Sequence, residues 1–221
     1  TSSQCLGAAG TQQVGAANLP PFHAGLWNGT AASWVDLNPA GASDSIAWAT
    51  SGMQQVGQAR LGGATRACLW NGTAASWVDL SPAGSVPYGS GALATSGTQQ
   101  VGFAYFAGIS HASLWSGSAA SWVDLQPAGA TQSGAQGISG TQQFGWASFA
   151  GFAHAGLWNG TAASWVDLHP AGATRSDAYA TTGAQQVGQA WFSGVGHAGL
   201  WNGTAASWVD LHALTSGDSI A

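Results

Sequence analysis

A histidine and an aspartate recur as a pair, thirteen residues apart, along the chain: His23 with Asp36, His111 with Asp124, His154 with Asp167, and His197 with Asp210. In one further copy Arg66 takes the place of the histidine, opposite Asp79. An imidazole beside a carboxylate can shuttle protons, contribute to a metal site, or hydrogen-bond the hydroxyls of a polar ligand. Four of the copies add aromatic residues just before the histidine: Phe22, Phe106 with Tyr105, Phe149, and Phe192 with Trp191. A ring beside such a pair can stack on the apolar face of a sugar while the polar groups hold its hydroxyls. The competing reading is structural: the aspartate caps the turn that follows it, and the histidine fills a seam between packed sheets.

Other chemistries find little support. Glutamate is absent, so the chain has no Glu to form a carboxylate pair, no serine sits in a nucleophile elbow, and neither Cys5 nor Cys68 has a nearby histidine in sequence. With His and Asp distributed one pair per copy, convergence of several ligands on one metal is not expected, and no cofactor is implied. The chain is expected to be non-enzymatic. Three Arg, no Lys and a formal net charge of −5 leave no basic footprint for nucleic acid. No apolar run is long enough to span a bilayer, so no membrane insertion is expected. The two cysteines occupy unrelated places in the repeat and read as incidental apolar residues rather than a disulfide framework. Nothing in the sequence sets an oligomeric state.

The elements that must position these residues come from an internal repeat. HAGLWNGTAASWVDL at 23–37 returns with small changes at 66–80, 111–125, 154–168 and 197–211. Each copy follows a QQVG or QQFG signature, and the first Trp of each copy falls at 27, 70, 115, 158 and 201. Within one repeat, the pattern predicts strands at 45–50, 54–60, 67–70 and 75–80, with Asn71-Gly72 as the hairpin turn between the last two. Four strands every 43 residues or so, five times over, predict an all-β chain: a five-bladed β-propeller of four-stranded antiparallel blades. Residues 1–221 then form one domain, and residues 218–221, which begin another copy of the first strand, are expected to pair into the first blade and close the ring. Both Trp of each repeat read as core, because regular recurrence on buried strands is the mark of packing. The loops after the second and fourth strands vary among copies: a rigid scaffold with varied loops on one face is where binding is usually built, and recent duplication followed by drift gives the same pattern.

The HAGLW, WVDL, PAG and QQVG elements together resemble the bacterial extracellular repeats of the HAF family, named for a His-Ala-Phe triplet. Here the triplet stands as His23-Ala24-Gly25, with Gly or Ser at the Phe position in four of the five repeats. The resemblance covers nearly the whole chain and implies a secreted or cell-surface bacterial protein. At the level of architecture alone, the five-blade layout is similar to tachylectin-type sugar-binding propellers. The expected function is therefore multivalent glycan binding, one pocket per blade, with the glycan as partner. The alternative is a structural or adhesive surface repeat, or a propeller scaffold without a specific ligand. The four Asn-Gly-Thr sequons are explained by the turn and need no glycosylation.

Overall fold

The computed structural model describes residues 2–18, 21–85 and 89–212. The expected ring-closing segment at 218–221 lies outside the described residues. The chain forms five four-stranded antiparallel sheets, each with its strands in chain order. Sheet 1 holds β1 (Ser3–Ala9), β2 (Gln12–Asn18), β3 (Phe22–Trp27) and β4 (Val35–Asp36). Sheet 2 holds β5 (Ala42–Thr50), β6 (Gln55–Leu61), β7 (Ala64–Trp70) and β8 (Val78–Asp79), and sheet 3 holds β9 (Ser90–Thr95), β10 (Gln100–Phe106), β11 (Ile109–Trp115) and β12 (Val123–Asp124). Sheet 4 holds β13 (Gln132–Ser139), β14 (Gln142–Phe149), β15 (Phe152–Trp158) and β16 (Val166–Asp167). Sheet 5 holds β17 (Arg175–Thr181), β18 (Gln186–Phe192), β19 (Val195–Trp201) and β20 (Val209–Asp210). These are the blades of the expected five-bladed propeller.

Two compact units divide the chain, residues 1–110 with 114–122 and residues 111–113 with 123–221. In the first unit, Val14, Leu26 and Leu37 of the first repeat pack with Ala47, Ala59 and Trp70 of the second. Val56, Leu69 and Leu80 repeat the arrangement against Ala92 and Trp115. In the second unit, Phe144, Leu157 and Leu168 do the same against Ala178 and Trp201. A backbone hydrogen bond marks each such seam: the N–H of Ala24, Ala67, Ala112 and Ala155 donates to the hydroxyl of Ser45, Ser90, Ser133 and Ser176, at 2.9 Å each time.

The fourth strand departs from expectation. Residues 75–80 are not one strand: Ala74–Ser76 form a 3-10 turn and only Val78–Asp79 pair with β7. Pairing of Leu69 with Val78 leaves residues 70–77 to the connection, so Asn71-Gly72 does not close a two-residue hairpin. The serine of the AAS triplet organises this longer turn. Ser76 accepts the N–H of Asn71 at 2.8 Å and donates to the Thr73 carbonyl at 2.6 Å. Gly72 sits at φ +85°, where a side chain would be strained.

The QQVG signature also has a physical cause. Its second Gln is fully buried at Gln55, Gln100, Gln143 and Gln186, and in every repeat its side-chain oxygen accepts the N–H of the turn glycine at 2.8 Å. A buried amide with this bond satisfied ties the start of the second strand to the turn after the third. The Gly lies opposite an irregularity in the pairing of the first and second strands. A Cβ there would stand 1.9–2.1 Å from a carbonyl oxygen of the first strand, so only glycine fits.

Candidate functional site

The register places each His on the third strand across from its Asp on the fourth, offset by two residues. The His Nδ1 lies 2.8 Å from the Asp Oδ2 for His23–Asp36, 2.9 Å for His111–Asp124, 2.8 Å for His154–Asp167 and 2.7 Å for His197–Asp210. In the second repeat Arg66 Nη1 takes the same carboxylate position, 2.7 Å from Asp79 Oδ2. The other oxygen of each aspartate accepts the backbone N–H two residues on, at 2.7–2.8 Å: Asn38, Ser81, Gln126, His169 and His212. Each carboxylate therefore both orients its partner and caps the turn leaving the sheet. With Nδ1–H donated to the carboxylate, a neutral imidazole has Nε2 as its acceptor. For Asp210, burial works to raise the carboxyl, but the hydrogen bonds from His197 and the His212 N–H, with the charges of both rings, outweigh it and hold it below the ordinary carboxylate value.

The residue two positions after each aspartate is a second polar position that the sequence pattern alone does not single out. His169 lies between Ser176 Oγ and the Ala173 carbonyl, at 2.9 Å from each, and stacks on His154 with centroids 3.9 Å apart and planes 8° from parallel. Burial and the adjacent His154 ring push the His169 imidazole below its ordinary value; the Ala173 contact and Asp167 oppose this without reversing it. His197 and His212 repeat the stack at 4.2 Å. Gln126 fills the same place in the third repeat, bonding Ser133 Oγ and the Ala130 carbonyl.

The aromatic candidates separate into two sets. Phe149 and Phe192 end their strands beside the histidines, with centroids 5.3 and 5.1 Å from His154 and His197. They also face Trp165 and Trp208, at 6.2 and 6.3 Å. Phe106 lies 5.0 Å from Trp122. Phe22 differs: it opens β3 next to His23, so its side chain leaves the opposite face of the strand, and it is 44% exposed. No aromatic stands at the matching place in the second repeat, where Leu61 ends β6.

Two equivalent open grooves result in the second unit. One, of about 660 Å³, is lined by His169, Pro170, Phe192, Ala205, Trp208 and Asp210, and the other, of about 650 Å³, by Gln126, Pro127, Phe149, Ala162, Trp165 and Asp167. The reading of both Trp as core needs correction here. The first Trp is fully buried at Trp70, Trp115, Trp158 and Trp201. The second, at Trp165 and Trp208, is half-buried and forms a groove wall. The signal that distinguishes them is the AAS triplet: the second Trp directly follows this 3-10 turn and precedes the two-residue fourth strand, whereas the first Trp ends the long third strand. The prolines of the PAG segments, also unassigned from sequence, supply the opposite wall. Among the described residues no group of three or more His, Cys, Asp or Glu is placed to hold a metal ion.

No protein-family profile matches the chain, and no characterised protein matches it in sequence. Its fold is similar to solved structures of TolB proteins. The structure assigned as TolB from Agrobacterium tumefaciens superposes with a TM-score of 0.63 at 10% identity, covering 95% of this chain and 79% of that one. TolB from Acinetobacter baumannii gives a TM-score of 0.59 at 10% identity, with this chain spanning 53% of its length. At this identity the likeness establishes a shared β-propeller fold.

Proposed function

We propose that the chain is a multivalent carbohydrate-binding propeller that acts by binding and not by catalysis. The observation that carries this reading is the recurrence of one groove in two successive repeats, with a Phe and a Trp on its walls and an aspartate at its edge. Exposed aromatic faces stack on the C–H face of a pyranose, and the carboxylate, though hydrogen-bonded, keeps lone pairs for a sugar hydroxyl. Equivalent weak sites on one chain gain avidity on a glycan-coated surface without any new contact. A secreted or cell-surface location, as in HAF-type repeats, and a tachylectin-like one-site-per-blade plan belong to this proposal. The fourth and fifth repeats, where a Phe lies beside the His, are the strongest sites; the second repeat, with Leu61 and Arg66, is the weakest.

One observation favours the structural reading: both oxygens of every described pair-forming aspartate already serve the fold. Titration calorimetry on hits from a glycan array separates the two. Saturable binding with at least two equivalents per chain, weakened about tenfold in the Phe149→Ala/Phe192→Ala double variant, supports the pocket; loss of a stacking contact of about 1.4 kcal/mol gives that factor. A blank array, or full affinity in the double variant, removes the carbohydrate reading from these grooves.

A further inference from the structure

The second Trp of a repeat takes one of two orientations, and the residue beneath it on the third strand differs between them. That residue lies two places before the first Trp: Gly25, Cys68, Ser113, Gly156 and Gly199. In the second repeat Trp77 turns its nitrogen inward, and its Nε1–H donates to Cys68 Sγ at 2.9 Å. In the fourth and fifth repeats the six-membered edge of the ring lies inward instead. A Cβ on Gly156 would stand 2.1–2.5 Å from Cη2, Cζ3 and Cζ2 of Trp165, and a Cβ on Gly199 would meet the same atoms of Trp208 at the same distances. Each of these rings packs on the first Trp of its own repeat, with centroids 4.6 Å apart for Trp158–Trp165 and for Trp201–Trp208. This orientation therefore needs glycine beneath it.

Glycine is required but does not suffice. Over Gly25, Trp34 keeps its nitrogen inward, 2.6 Å from where a Cβ would stand, and this N–H is buried without a partner. The first repeat, whose second strand ends at Asn18, has no counterpart of the Phe that faces the turned ring. That Phe is Phe149, 6.2 Å from Trp165, and Phe192, 6.3 Å from Trp208. The glycine makes room, and the Phe holds the ring that uses it.

Turning the ring changes what the groove can bond. Among the described residues nothing accepts the N–H of Trp165 or Trp208, and neither nitrogen is sealed from water, in contrast to those of Trp158 and Trp201. Both turned rings line the grooves, with Asp167 and Asp210 alongside. We propose that Gly156 and Gly199 are positioning residues of the two grooves: by letting the ring edge lie inward they free an indole N–H to donate to an oxygen of the bound ligand. This rests on the binding reading of the grooves and sharpens it. A ligand that covers the groove without accepting this bond strips a donor of water, so ligands with a well-placed acceptor are selected. In the second repeat Cys68 already takes the N–H, and no such donor is left.

Hydrogen exchange of the indole N–H groups, followed by NMR in heavy water with reductant present, tests this without any sugar. In the wild type the Trp165 and Trp208 signals are expected to vanish before those of Trp77, Trp158 and Trp201. Gly156→Cys imports the residue of the second repeat, and the Trp165 N–H is expected to turn inward onto the new sulfur. Its exchange should slow by about tenfold, the factor for an added opening cost of about 1.4 kcal/mol, while Trp208 in the same molecule is unchanged. Gly199→Cys should give the reciprocal result. With a glycan-array hit in hand, calorimetry is expected to find one binding equivalent fewer in either variant; a blank array strikes the carbohydrate reading alone, and the exchange data still decide the role of the glycines. The proposal is overturned if wild-type Trp165 and Trp208 exchange as slowly as Trp77. It is equally overturned if Trp165 keeps pace with Trp208 in a Gly156→Cys protein whose circular dichroism matches wild type, or if a hit binds that variant with its full number of equivalents.

Discussion

Gly145 offers the sharpest test of how the repeat signature works. A Cβ at this position would lie 2.1 Å from the Gly134 carbonyl oxygen and 3.0 Å from the Ala135 Cα. Both obstacles are backbone atoms of β13, so no rotamer change relieves the clash. An ordinary carbon–oxygen contact needs about 1 Å more, and β13 must move away from β14 by about that amount, beyond the slack of a strand hydrogen bond. Overpacking of this kind costs about 1–3 kcal/mol, and the absence of a flexible partner puts Gly145→Ala near 3 kcal/mol. For a chain of this size each kcal/mol lowers the melting temperature by about 2–4 °C, so a drop of about 6–12 °C is expected. The control is Gly134→Ala in the same sheet, whose Cβ has three atoms of the Trp146 ring as its nearest neighbours, from 3.1 Å. That ring can shift, and removing a glycine from the unfolded chain returns about 0.4–1 kcal/mol, so the control is expected within about 1 kcal/mol of wild type. Thermal melts followed by circular dichroism read both. A Gly145→Ala protein that melts with the control refutes the steric account of the QQVG glycine.

Two further expectations concern titratable groups. The His169 imidazole, held below its ordinary value of 6.5 mainly by burial, binds protons less readily folded than unfolded, so its contribution to stability is present above that value and is lost as pH falls through it. His169→Gln, which imports the Gln126 arrangement of the third repeat, is expected to lessen the fall in melting temperature between neutral and mildly acidic pH; an unchanged profile counts against the buried His169 as its origin. Thiol titration of the native protein at mildly alkaline pH is expected to find Cys5 at once and Cys68 only after denaturation, because desolvation raises the Cys68 thiol to about 12 despite the Trp77 N–H 2.9 Å from its sulfur. Rapid labelling of two thiols in the native state contradicts that burial.

Much of the architecture is legible from periodicity. The five copies and their turn residues dictate five four-stranded sheets, since a fixed period forces each copy into the same local structure. The His–Asp pairing is also a local matter, because strands joined by a short connection must bring residues thirteen apart together, whichever turn closes them. What periodicity cannot separate is two residues with the same type and spacing but different surroundings. Trp158 and Trp165 look alike in sequence; one is fully buried and the other is half-buried on a groove wall. Phe22 and Phe149 both precede a histidine, yet a strand alternates its faces, and a shift in position sends one to the groove and the other away. Ser3, Cys5 and Leu211 are a further case: they hold the same places in the repeat as residues that are buried elsewhere, yet are themselves exposed. Local sequence sets strands, turns and pairs; burial depends on which neighbour is present, and that is a property of the tertiary structure alone.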